Sequence, residues 1–261
     1  MSHSEPRTFD EITPEEVDAA LSRLAQLVED ELPASFEAGE GQARYVGTLL
    51  LVRMAQIARA VGTLAVVGHG SEAFVLLRSL YEHMVVLAWV CVSPEERAGL
   101  WIGAAHKRGL TLFRESQRYG LGALSDEQVA SLEESAATLP PVQAMAHGVD
   151  AFWPDHIPEF RSWMPGLDED NVLTVAGLYT VIYRSASALA HGEGGGIQGI
   201  TAEDEGGRPM IVLGTDPVAD LVGLAVPLFV MGLQIYEYRF DRPLGSAAET
   251  IHAGFVQGTG G

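Results

Sequence analysis

Apolar residues recur at Val17, Leu21, Leu24 and Val28, the alternating three-and-four spacing of one helix face, with acidic residues on the other face. This amphipathic stretch opens at Thr13-Pro-Glu-Glu16, a capping box with proline at the first helical position, and closes near Leu32, just before Pro33. Longer stretches follow, about Gln42 to Val67 and about Ser71 to Val92, divided by Gly68-His-Gly70. The second is apolar nearly all round, a pattern that belongs in the middle of a core. Ser93-Pro-Glu-Glu96 and Ser125-Asp-Glu-Gln128 also have capping-box spacing and open predicted helices to about Tyr119 and Ala137. Periodicity stops from Leu139 to Gly166, where Pro140, Pro141, Pro154, Pro158 and Pro165 alternate with Trp153, Phe160 and Trp163. This reads as a loop pinned to the body by its aromatic rings.

The pattern resumes after Asp170 and Asn171, either of which can cap a helix that carries Tyr179 to His191 and breaks at Gly192-Glu-Gly-Gly-Gly196. Ile197 to Ile200 and Met210 to Leu213 flank Asp204-Glu-Gly-Gly207 and predict a small hairpin or extended lid. Asp216-Pro217 opens the last long helix, to about Phe240, and a short amphipathic segment follows from Leu244. Leu221 to Tyr236 is almost wholly apolar, yet it falls short of the usual 18 or so residues of a membrane span and holds Pro227 and Gln234. It reads as a buried core helix. The expected architecture is all-α, a single bundle of about seven helices with a short extended or hairpin insertion near 197–213. The expected organisation is one helical domain over 13–255, between a flexible N-terminus, 1–12, and a flexible Gly-rich tail, 256–261.

Composition narrows the partners. The chain has 261 residues, 47% of them hydrophobic, enough for a sizeable core. It carries 35 acidic against 16 basic residues, a formal net charge of −19. Such a surface repels phosphate backbones and anionic membranes, so neither nucleic acid nor membrane is an expected partner. A single cysteine, Cys91, sits in an apolar run, which rules out a disulfide framework and points to a reducing, cytoplasmic setting. Met1 to Ile12 is polar and acidic, unlike a signal peptide. A homodimer is compatible with a helical bundle of this size.

Candidate chemistry lies where polar residues interrupt apolar helices. Tyr183, Ser187 and His191 are spaced four apart, so an α-helix stacks them along one stripe at its C-terminal end, with Arg184 on the neighbouring stripe. Arg78 and Glu82 are also four apart, in a helix too apolar to lie on the surface. An unpaired charge there would cost several kcal/mol, so the two must pair. Polar ladders on separate helices usually face each other, since each can satisfy the other. The cluster Arg78, Glu82, Tyr183, Ser187 and His191 is therefore either a structural network or a site for a small polar ligand, with Arg78 anchoring an anion. His191 has a titration range near neutrality and glycines beside it that leave it accessible.

Arg78-x3-Glu82 on a buried helix, followed far downstream by Tyr183-x3-Ser187-x3-His191, resembles a bacterial helical family of unknown function. In that family an aromatic, tryptophan-bearing stretch precedes the second helix, and Phe160-Arg-Ser-Trp163 is similar. The resemblance covers about Glu72 to Gly192 and implies a helical fold with no assigned reaction. Arg184-x6-His191-Gly192 is also similar to the Arg-x4–6-His motif of HEPN-domain ribonucleases, which are helical bundles too. That likeness implies metal-independent RNA cleavage in a cleft shared by two subunits. Arg184 would stabilise the phosphate and His191 would move the proton. The HEPN pattern usually places Asn, Asp or His directly after the arginine, and Ser185 stands there in this chain.

No cofactor or metal is expected. None of the eight histidines has His-x3-His, His-Glu-x2-His or Glu-x2-His spacing. A metal-assisted enzyme would need a site assembled across helices, such as Glu82 with His106 and His191. The glycine runs follow a helix rather than a strand and match no phosphate-loop or dinucleotide pattern.

Overall fold

The fold is that of a computed structural model, which describes residue 7 and residues 11–32, 41–120, 125–138, 158–164, 175–190, 201–203, 209–211 and 219–258. It is all-α, with one small strand pair. Helix α1 spans Pro14–Glu31 and begins on the expected capping box. Thr13 Oγ1 accepts from the Glu16 amide at 3.3 Å, and Glu16 accepts from the Thr13 amide at 2.9 Å. Helices α2 (Gln42–Val66), α3 (Gly70–Val92) and α4 (Pro94–Arg118) follow. α5 (Asp126–Thr138) starts at a second capping box, where Ser125 and Gln128 exchange bonds of 2.9 and 3.3 Å.

The capping box expected at Ser93 does not form. Ser93 is at once the C-cap of α3 and the N-cap of α4, and no side-chain bond caps α4. The Ser93 hydroxyl donates to the Glu96 carboxylate at 3.4 Å instead. A single residue joining two helices has a backbone set by both, which leaves its side chain poorly placed for capping.

Inside the proline-rich stretch, residues 158–163 form a short helix, α6, where a loop was expected. The aromatic rings do pin it. Phe160 is buried, and Trp163 meets Tyr238 edge-on with centroids 5.0 Å apart. Glu159 accepts two bonds from Arg97, at 2.7 and 2.8 Å, and Arg97 in turn lies 5.3 Å from the Trp89 ring centroid.

The next helical run has three parts: α7 (Val175–Leu178), a π-helical segment Tyr179–Arg184, and α8 (Ser185–Ala190). The strands β1 (Thr201–Glu203) and β2 (Pro209–Ile211) pair antiparallel, with Thr201 opposite Ile211. They lie within the expected 197–213 insertion, though β1 begins after Ile200. The last long helix starts as a 3₁₀ segment, Ala219–Leu224, and becomes α9 at Ala225–Phe240. Pro227 is tolerated just after the changeover. It has no amide proton, and it sits in the first turn of α9, where amides have no intrahelical acceptor anyway. α10 (Leu244–Gln257) folds back on α9, its first turn held by Glu237, which accepts from the amides of Gly245 and Ser246.

α2 lies between α1 and α3, and α9 packs on all three. Their apolar faces meet in one core that includes Leu24, Met54, Leu77 and Phe229, all fully buried. Thr48 and Tyr236 share a 2.7 Å hydrogen bond inside it. α1 crosses α2 so closely that a Cβ on Gly62 would lie 2.9 Å from the Asp18 Cα. Gln42–Val66, Gly70–Val92 and Leu221–Phe240 are long and apolar enough, by length and composition, to cross a membrane. The last of these is 20 residues long, because the helix continues to Phe240, past the Tyr236 end read from the sequence.

Candidate functional site

α3 runs beside the π segment and α8, so the Arg78 helix and the Tyr183 helix are packed together. Arg78 Nε donates to Glu82 at 3.0 Å, and Arg78 Nη2 donates to the Tyr183 hydroxyl at 3.2 Å. The Arg78 guanidinium carbon also lies 4.5 Å from the Tyr183 ring centroid, a cation–π contact. Among the described residues no partner reaches Nη1. The Arg78 and Glu82 side chains retain 21% and 30% of their exposure, which keeps the pair within reach of a small solute. Tyr183 itself is buried.

The π segment shapes the other wall. Its extra residue per turn brings Tyr179 and Tyr183 into a stack, centroids 5.3 Å apart and planes 11° from parallel. Tyr81, fully buried on α3, meets both rings at 6.5 Å. Arg78 thus caps a column of phenols, with its charge offset by Glu82. The arrangement can hold an anion by Nη1 while Glu82 accepts a proton-bearing group.

The segment that carries Tyr183 turns Leu178, Ile182 and Ala186 into the core. Ser187 lies half-buried at the edge of that face. The step from Tyr183 to Ser187 passes from the end of the π segment into α8. Arg184 is exposed and takes no part in the Arg78 contacts. His191 lies outside the described residues, as do Asp170 and Asn171. His106 is exposed on α4. Among the described residues, no three His, Cys, Asp or Glu side chains gather where they could hold a metal ion.

The sequence pattern missed Tyr81, Tyr179 and His83. Tyr179 carried a usable signal, lying four before Tyr183. Tyr81 and His83 sit directly beside Glu82 but looked like parts of an apolar helix. His83 Nδ1 lies 2.7 Å from the Ser79 carbonyl oxygen. Burial pushes its pKa below the usual 6.5, the Ser79 bond opposes this, and the charges of Arg53 and Glu82 act in opposite directions. A separate cavity of about 270 Å³ lies between α1 and α10, lined by Arg7, Glu16 and Phe255 among others, away from Arg78. Arg7 lines it, donating to Glu16 at 2.8 Å and to the Phe255 carbonyl at 2.6 Å.

An all-helical protein with a polar cluster between two helices is the class that this geometry defines. The chain belongs to DUF5677, a family of unknown function whose model matches residues 44–208. That span contains both Arg78-x3-Glu82 and Tyr183-x3-Ser187-x3-His191. Comparison with curated proteins and with solved structures gave no match.

Proposed function

We propose that the Arg78–Glu82–Tyr183 cluster is a binding site for a small polar ligand, with Arg78 as the anion anchor. The observation that carries this reading is a half-exposed ion pair facing phenols that a π segment presents. A purely structural i,i+4 pair needs no π turn, and such turns are rare in helices and frequent at functional sites. Ser187 and His191 extend the same site on this reading, as further hydrogen-bonding groups. The protein is then a soluble, cytoplasmic binding protein rather than a membrane protein. Leu221–Phe240 supports this most, its apolar window being 72% buried within the fold, against 56% for Gly70–Val92 and 44% for Gln42–Val66.

The test is a thermal-melt screen with carboxylates and phosphate esters at millimolar concentration. Binding raises the melting temperature of the wild type through mass action. The rise should vanish in Arg78→Gln and persist in Arg184→Gln. A rise that survives in Arg78→Gln places the anion elsewhere and ends this reading.

One observation favours a second reading. Arg184 is exposed, so a phosphate can reach it, as a HEPN-like metal-independent ribonuclease using Arg184 and His191 would require. RNA cleavage by the purified chain, lost in His191→Ala with the melting temperature unchanged, would establish it. Absence of cleavage by the wild type removes it.

A further inference from the structure

From the position of His83 we infer that the candidate site has a second recognition group, the Nε2 atom of that histidine, and that its ligand is an extended small acid carrying a hydrogen-bond donor. This rests on the anion-anchor reading of Arg78. A backbone carbonyl can only accept, so the 2.7 Å bond to Ser79 requires the proton on Nδ1. In the neutral ring Nε2 is then an acceptor, and among the described residues it meets no hydrogen-bond partner. Burial and the Arg53 charge on α2 both favour the neutral ring, against the pull of Glu82 on α3.

The placement along α3 sets the shape of the ligand. Val75, Arg78, Ser79, Glu82, His83 and Val86 are among the half-buried residues along one side of a helix that is otherwise mostly buried there. Arg78 and His83 lie toward opposite edges of that strip, five residues apart. Helix geometry separates their Cα atoms by roughly 8–9 Å. Val75 and Val86 give the strip apolar ground. A ligand that meets both edges has an anionic group for Arg78 Nη1, an apolar body, and an O–H or N–H group for His83 Nε2.

The probes are ω-hydroxy acids of about six to ten carbons, which match that reach, each measured against its parent fatty acid by calorimetry. In the wild type one chain length should bind roughly three- to tenfold more tightly than its parent, the effect of one net hydrogen bond. The gain should disappear in His83→Phe, while the parent acid binds as before. Equal affinity of hydroxy acid and parent in the wild type overturns the His83 inference and leaves the Arg78 anchor standing. Failure of every acid to bind removes both. A long-range ¹H–¹⁵N spectrum of the unaltered protein at neutral pH gives an independent check. The expected tautomer is Nδ1–H, and an Nε2–H signal for His83 overturns the proposal.

Discussion

Arg78 meets Glu82 through Nε and Tyr183 through both a hydrogen bond and its ring, so neighbouring substitutions separate these roles. Tyr183→Phe keeps the stack on Tyr179 and the cation–π contact and loses only the hydroxyl. We expect a loss of about 1.5 kcal/mol in urea unfolding, the low end for a hydrogen bond to a charged group, since the arginine is partly in solvent. Glu82→Gln keeps the shape and removes the charge of a pair that is partly in solvent, so a loss of at most about 1 kcal/mol is expected. A loss of about 3 kcal/mol or more, the cost of stranding a buried charge, would mark the pair as a structural element of the core. Cys91 offers a residue-scale control on the fold. It is fully buried, and burial pushes its thiol far above the usual range, so little thiolate forms in the native state. A thiol reagent at pH 8 should label it only as fast as the protein opens, and rapid labelling of the native protein would contradict the packing of α3.

Elements were legible where their signals are local. The boxes at Thr13 and Ser125 form because cap and partner lie within four residues. Ser93 has the same spacing and fails, because its backbone also ends α3; the hydroxyl pattern carries no trace of that constraint. The pairing of Arg78 with Glu82 follows from their spacing and from the cost of a lone charge, and Tyr183 as their neighbour follows from the need of one polar ladder for another. The π segment was not legible, since side-chain spacing does not separate a π turn from an α turn, and the contacts of Tyr179 and Tyr183 with Tyr81 lie across the helix interface. His83 was hidden for a similar reason: its partner is a backbone carbonyl, which no side-chain pattern displays. The close helix crossings were hidden too, and they can be measured. Gly62→Ala puts a methyl group against the backbone of α1, which cannot yield cheaply. It should cost about 1–3 kcal/mol even after the gain in helix propensity. Gly232→Ala meets chiefly the flexible end of Met54 and should cost less. Equal melting temperatures for the two variants would show that α1 and α2 do not cross as tightly as described.

At the scale of the molecule, acid stability brings burial and charge into opposition. Burial lowers the pKa of His83 and of His252 below the usual 6.5; at His252 the nearby Glu249 opposes this. The unfolded chain therefore binds protons at these sites before the folded protein does. Their contribution to stability is whole above pH 6.5 and is lost as the pH falls toward the lowered folded values. Glu16 acts in the same direction at lower pH. Its carboxyl is held below 4.5, first by the bond from the Thr13 amide and then by Arg7, so its contribution is lost only below that value. Against both stands the net charge of −19, whose self-repulsion eases as acid neutralises carboxylates. The histidine effect should therefore be read as a difference. We expect the wild type to lose stability between pH 7.5 and 5.5 relative to a His83→Gln, His252→Gln double variant, whose profile across that range should be flatter. The variant shares nearly all of the wild type's charge, so the repulsion largely cancels in the comparison. Urea midpoints at fixed ionic strength measure it, and parallel profiles would mean that neither imidazole is held neutral by the fold.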